Sequence, residues 1–306
     1  MSVVLVAKLA EEGRAGKLTP DEYKILLDRG LMALSGKPDG VRAIQTYCPN
    51  GVVGMKTNCI ARRVNSTPVA LADALTQLLI AGGIDENNVI IWERTNRELE
   101  NAGYRLNASS FGRRCFGTDV DNIGYGRTFY SSGEVNSLVS RILTDVVAHN
   151  INLPVLKDHS IAGLSGGLKN MYGVINNPNK YHDNNCDPYA AHVSNLDPVR
   201  TKNRLSIIDA VQVQYNGGPG YVSHYLDYFN GLIISDDPVA ADSIALHVLN
   251  EIRKQHSLPS IADAGRPARY LATAESLGLG VADRSKIELK VLNVGTDGTV
   301  VAGSLF

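Results

Sequence analysis

Lys157 and His159 are separated by one residue, Lys169 stands ten positions beyond His159 with Asn170 next to it, and His182 follows with Asp183, Cys186 and Asp187. If the backbone stays extended as far as His159, Lys157 and His159 point to the same side. Three kinds of chemistry suit these residue types. The imidazoles of His159 and His182, joined by Asp183, Asp187 or Cys186, are ligands for a divalent transition metal such as zinc, iron or nickel. Lys157 and Lys169 would hold a small anion, helped by backbone amides where Gly163, Gly166 and Gly167 surround Ser165. A histidine, which titrates near neutrality, would move protons. Catalytic roles are therefore expected for His159, Lys169 and His182, and ligand contacts for Lys157, Ser165 and Asn170. Metal ligation, where a metal is used, falls to His159, His182, Asp183 and Cys186. The plain structural alternative is a long, partly buried loop that these side chains merely satisfy.

Two further polar clusters close short apolar runs. Gly51–Met55 leads into Lys56, Thr57, Asn58 and Cys59, and Asn88–Trp92 leads into Glu93 and Arg94. Between them Ser66-Thr67-Pro68 opens an amphipathic helix that stops at Gly82-Gly83. Strand, helix and strand in that order predict a parallel unit with a right-handed crossover. Open α/β sheets bind ligands beyond the carboxyl ends of their strands, so Lys56, Asn58, Glu93 and Arg94 are expected to bind ligand in the same crevice as Lys157 and His159.

The elements that must position these groups can be read along the chain. Val3–Ala7 is a strand, and Thr19 caps a helix through Ala33 with Pro20 in its first turn. Residues 104–135 are rich in Gly, Arg, Tyr and Asn and predict a loop-rich insertion with one hairpin. Asn150–Leu156 is a strand, Leu164–Ile175 a short helix, Leu205–Tyr215 and Gly231–Ser235 further strands. Asp236 or Asp237 caps a helix from Val239 to Ile252, on which Asp242 is read as a first-turn acid. Ala262–Leu277 has helical character and Lys286–Val294 is a closing strand. The expected fold is α/β, a mostly parallel sheet flanked by helices, in a single domain over residues 1–306.

Composition excludes several classes. Lys and Arg total 30 against 31 Asp and Glu, so no basic excess exists to neutralise nucleic-acid phosphates. No run of 18 apolar residues marks a membrane span. The four cysteines show no CxxC pair, which disfavours a ferredoxin-type iron–sulfur cluster and leaves reduced, buried thiols as the simplest reading. No GxSxG elbow, Walker A loop or strand-following GxGxxG occurs, and Gly163-Leu164-Ser165-Gly166-Gly167 has the wrong spacing for a nucleophile turn. The N-terminus enters a strand with no basic leader and apolar segment, which reads as cytoplasmic.

Gly51–Cys59 (GVVGMKTNC), Leu153–Ser160 (LPVLKDHS), Gly167–Val174 (GLKNMYGV) and Asp236–Asp242 (DDPVAAD) resemble the signature blocks of the domain-of-unknown-function family 362. Members of that family often carry a twin-arginine export signal or an attached ferredoxin-like domain, so the resemblance sets a periplasmic or exported location as the alternative. A more distant similarity is to the nickel-dependent lactate racemases, in which a histidine, a lysine that attaches the nickel-pincer cofactor and a second histidine follow a core strand. His159, Lys169 and His182 occur in that order, whereas Lys56-Thr57-Asn58 stands where that family has an Asp-Asp-x-Thr-Arg motif. The resemblance implies a shared architecture and leaves the chemistry open. The expected function is an enzyme acting on a small anionic molecule, with metal assistance as one option. The alternative is a non-catalytic cofactor-binding or redox-partner module.

Overall fold

A computed structural model of the chain describes residues 1–10 and 16–306. In chain order its strands are β1 (Ser2–Leu9), β2 (Val53–Thr57), β3 (Val89–Glu93), β4 (Arg114–Gly117), β5 (Tyr125–Ser132), β6 (Val135–Ser140), β7 (His149–Leu153), β8 (Val155–His159), β9 (Gly163–Ser165), β10 (Asn203–Gln214), β11 (Leu226–Asp227), β12 (Gly231–Ser235), β13 (Ile287–Val294) and β14 (Val300–Ala302). The α-helices are α1 (Pro20–Ser35), α2 (Gly40–Tyr47), α3 (Val69–Ala81), α4 (Asn96–Ala102), α5 (Gly167–Asn170), α6 (Tyr189–Ser194), α7 (Asp197–Lys202), α8 (Pro238–Gln255) and α9 (Tyr270–Ser276).

The main sheet runs β14-β13-β1-β12-β10-β7-β2-β3-β4. The pairs β13–β1, β10–β7, β7–β2, β2–β3 and β3–β4 are parallel, while β12 runs antiparallel to both of its neighbours. Strands such as β3 (VIIWE) and β12 (GLIIS) are buried along their whole length. Such continuous apolar runs belong to sheets covered on both faces, and their alternation divides them between the two faces of the sheet. Val89, Ile91, Leu232 and Ile234 pack with Leu26, Leu31, Leu71 and Leu75 of α1 and α3. Ile233 faces the other way, toward Ala241, Ile244 and Val248 of α8, and Ile90 and Trp92 face Leu168 and Tyr172. The expected mostly parallel α/β architecture is therefore what the chain forms.

Several local expectations are corrected. The strand read over Asn150–Leu156 is two strands, because Pro154 has no N–H to continue the ladder; β7 pairs with β2, and β8 continues beside β10. The helix read from Leu164 starts only at Gly167. Gly163, at φ +77, turns the chain into a hairpin in which β9 pairs antiparallel with β8. After α5 a 3₁₀ segment, Met171–Val174, completes the stretch. Of Ala262–Leu277 only Tyr270–Ser276 is α-helical, since Gly265 at φ +79 and Pro267 interrupt the first half. The segment expected as loop-rich holds β4, which edges the main sheet, and β5, which pairs with β6 in a separate two-stranded sheet. Asp237 is the cap of α8, accepting from the amides of Val239 and Ala240.

Candidate active site

The carboxyl ends of β2, β3 and β8 converge. Their polar ends meet α5 and the segment around His182 in a cavity of about 300 Å³. Lys56, Asn58, Glu93, Arg94, Lys157, His159, Ser165, Lys169, Asn170 and His182 all line it. Parallel pairing sets Lys56 beside Trp92 on β3 and beside Asn152 on β7. Because β8 stays extended to His159, Lys157 and His159 share one face, and the intervening Asp158 points away. Asp158 is buried, and its carboxylate accepts from Arg266 at 2.5 Å and from the Gly218 amide at 3.1 Å. Arg266 also donates to the His159 carbonyl at 3.0 Å, tying down the end of the strand that carries the histidine.

The charged groups of the lining fall into two kinds. Lys56 Nζ lies 2.7 Å from Glu93 Oε1 and 2.6 Å from the Thr57 carbonyl, and Glu93 also accepts from the amides of Arg94 and Cys59. Arg94 pairs with Glu98 at 2.7 Å. These two cations are compensated. Lys157, fully buried, donates, among the described residues, to Asn58 Oδ1 at 3.0 Å and the Asn65 carbonyl at 3.1 Å. Lys169 Nζ lies 3.2 Å from His182 Nε2 and 3.7 Å from the centroid of the Tyr172 ring. Among the described residues neither lysine has a carboxylate at hydrogen-bond distance, so the lining side chains carry a surplus of two positive charges. Burial lowers both ammonium groups to a pKa of about 8.

The two histidines are held in opposite tautomers. His159 Nδ1 faces the backbone amides of Ile161 and Ala162, both at 3.1 Å, so this nitrogen must present its lone pair. The neutral ring then carries its proton on Nε2. Burial, reinforced by the positive charge of Lys169, pushes the His159 pKa down to about 3, so the ring is uncharged at neutral pH. His182 Nδ1 faces the Pro178 carbonyl at 3.0 Å and must donate to it, which leaves Nε2 as an acceptor toward Lys169. Burial and then Lys169 lower the His182 pKa as well. The rings stack with centroids 6.1 Å apart. The cavity thus offers a neutral N–H donor, a neutral imidazole acceptor and two uncompensated ammonium groups.

An asparagine chain fixes this geometry. Asn58 donates to Asn170 at 3.1 Å, Asn170 to Asn152 at 2.7 Å, and Asn152 to the Gly167 carbonyl at 2.9 Å. The start of α5 is held by Asp242, whose two oxygens accept from the amides of Gly167 at 2.6 Å and Leu168 at 3.0 Å. Asp242 therefore does not serve its own helix as a first-turn acid; it reaches across from the buried face of α8 to cap the helix bearing Lys169. The available signal was an acid on the apolar stripe that also carries Ala245 and Leu249. Burial raises its pKa to about 7 against the two amide bonds that lower it. A Cβ at Gly166 would stand 2.4 Å from Asp242 Oδ1, so only glycine admits the carboxylate there. Asp242→Ala strips two buried amides of their acceptor, and a loss of about 1–3 kcal/mol of stability is expected. Chemical denaturation checks this, and a change within 0.5 kcal/mol, roughly the surface-mutation range, would contradict the assignment.

The ligand set anticipated for a metal is not gathered. Asp183 is exposed and, like Cys186, absent from the cavity lining; Cys186 Sγ is 4.0 Å from the His182 carbonyl, and burial raises its thiol pKa. Asn184, Asn185 and Cys186 take positive φ of 48, 58 and 64°, and Cys186 is buried in the apolar core beside Tyr172. Among the described residues no three His, Cys, Asp or Glu side chains converge as a metal would need. The four cysteines are free and buried. Among the described residues no helix is long and apolar enough to cross a membrane.

The family model described as Domain of unknown function (DUF362) matches residues 53–247, which include every residue of the lining named above. No curated protein matches the sequence. A crystal structure of a Thermotoga maritima protein, determined by structural genomics, aligns with 79% of this chain at 13% identity and a TM-score of 0.43. The chain spans 60% of the length of that protein.

Proposed function

We propose, for a chain that belongs to the family of Domain of unknown function (DUF362), an enzyme that binds a small anionic molecule between Lys157 and Lys169 and moves a proton on it. One observation carries the reading: two lysines with no carboxylate partner among the described residues face a single cavity beside two neutral histidines in opposite tautomers. Holding cations in a desolvated site without counter-charge is costly unless a ligand supplies it. A dianion matches the surplus.

Each residue then has a distinct task. Lys157 and Lys169 bind the anionic group, and Asn58 and Asn170 keep Lys157 and α5 in register. His159 cannot act as a base through Nδ1, which is committed to backbone amides. Its Nε2–H is a preorganised donor for an oxygen on which charge develops, and it needs no protonation to serve. His182 Nε2, whose lone pair faces Lys169, is the proton acceptor. General acid–base chemistry of this kind contributes about 10²–10⁴ in rate. The likeness of the His159–Lys169–His182 order to the lactate racemases stands on sequence alone, and nothing in this chemistry rests on it.

The pH dependence of binding tests the proposal. An anion binds the ammonium forms, so above the free-site pKa of about 8 each lysine must take up a proton on binding. Affinity for oxalate is therefore expected to be flat below about pH 8. Above it, affinity falls by up to about tenfold per pH unit for each lysine. Titration calorimetry between pH 6 and 10 reads this directly. A fall that begins only near the ordinary lysine pKa of about 10.4, or no oxalate binding at all, would contradict it.

A further inference from the structure

We propose that Lys169 is a nucleophilic amine that forms an imine with a small 2-oxo acid, whose carboxylate is held by Lys157 and whose carbonyl oxygen is held by the His159 Nε2–H. This deepens the reading above and rests on it, because the same cavity must hold the carboxylate. Lys56 illustrates what a structural lysine looks like here: it is locked to Glu93 and two of its neighbours' backbone groups already satisfy the pair. Among the described residues Lys169 has no carboxylate partner, and it hydrogen-bonds to an imidazole nitrogen whose lone pair is fixed toward it by the Pro178 carbonyl on the far side of the ring. An amine next to a proton acceptor and in a desolvated pocket is the arrangement that activates lysine for carbonyl addition. Burial brings its pKa to about 8, so near that pH about half of the side chain is free amine. The Tyr172 ring face favours the ammonium form and burial opposes it, while His182 Nε2 stands ready to take the proton when the amine is freed. Lys157, His159 and Lys169 line the same cavity, and Lys157 and His159 stand on one face of β8, so a carboxylate and its adjacent carbonyl meet all three from a single bound position.

The step balances without oxidant or reductant. Lys169 passes one proton to His182 Nε2, and the freed amine adds to the carbonyl carbon while the C–O π bond opens onto the oxygen. One of the two protons on nitrogen moves to that oxygen. The proton held on His182 then completes the leaving water as the nitrogen lone pair forms the C=N bond. The ammonium and the oxo acid become the iminium and water.

The full chain is incubated at pH 8 with glyoxylate and cyanoborohydride, and adducts are located by intact mass and peptide mapping. The expected product is one adduct, heavier by the acid less water plus two hydrogens, on Lys169. It is absent from Lys169→Arg, which keeps the positive charge. In Lys157→Met it forms about tenfold more slowly or worse, since the carboxylate loses a charge-assisted hydrogen bond. Calorimetry without reductant separates the two layers of the argument. Glyoxylate that binds wild type yet leaves Lys169 unmodified, or adducts spread over surface lysines alike in wild type and Lys169→Arg, overturns the imine while leaving the anion site standing. Glyoxylate that neither binds nor reacts overturns both.

Discussion

Lys56→Met is expected to lower the unfolding free energy by about 3–5 kcal/mol. Lys56 is 1% exposed and Glu93 6% exposed, so removing the ammonium leaves a carboxylate in the interior with only the amides of Arg94 and Cys59 to offset its desolvation. The penalty belongs to the orphaned charge more than to the pair. The double variant Lys56→Met/Glu93→Leu, which removes both charges and fills the space with carbon, should therefore recover most of the loss. Urea unfolding at pH 7 of wild type, both single variants and the double variant measures this as a cycle. A single-variant loss below about 1 kcal/mol, typical of exposed ion pairs, would show that water reaches Glu93 and that the pair is not the dry wall of the cavity described here.

Lys157→Met should have the opposite balance of effects. The lysine is fully buried, and its partners are an asparagine oxygen and a backbone carbonyl rather than a carboxylate. Removing it relieves a desolvated charge, so stability is expected to hold or rise. Anion affinity should fall by about 10–150-fold, the equivalent of a charge-assisted hydrogen bond of about 1.5–3 kcal/mol. Gain in stability with loss of binding is what distinguishes a functional cation from a structural one. Lys56 and Lys157 point into the same cavity, yet they should respond in opposite senses to the same substitution. Parallel measurement of thermal midpoint and oxalate affinity in the two variants reads both. A Lys157→Met protein that unfolds several kcal/mol more easily would assign Lys157 to the structure instead.

How much of this was legible in the sequence differs residue by residue. Lys56 and Glu93 could be placed because each ends an apolar run, and parallel strands bring their carboxyl ends together whatever lies between. The shared face of Lys157 and His159 followed from strand parity alone. The tautomers could not be read. His159 depends on the amides of Ile161 and Ala162, which turn toward Nδ1 only because Gly163 adopts a left-handed conformation and folds β9 back on β8. Asp242 was legible as a buried-face acid, but its partner lies 75 residues away in sequence, beyond any local rule. Asp183 and Cys186, read as candidate ligands beside His182, lie outside the cavity lining. Nearness to His182 along the chain did not place them in the lining: Asp183 stays exposed and Cys186 is buried among apolar side chains.

The central claim is that two uncompensated lysines make this cavity an anion site. Titration calorimetry of oxalate against wild type and the Lys157→Met/Lys169→Met double variant at pH 7 tests it most directly. The account predicts saturable one-to-one binding to wild type and its loss, by about 10² or more, in a double variant that unfolds no more easily. Equal oxalate affinity in the two proteins would place the anion elsewhere and contradict it.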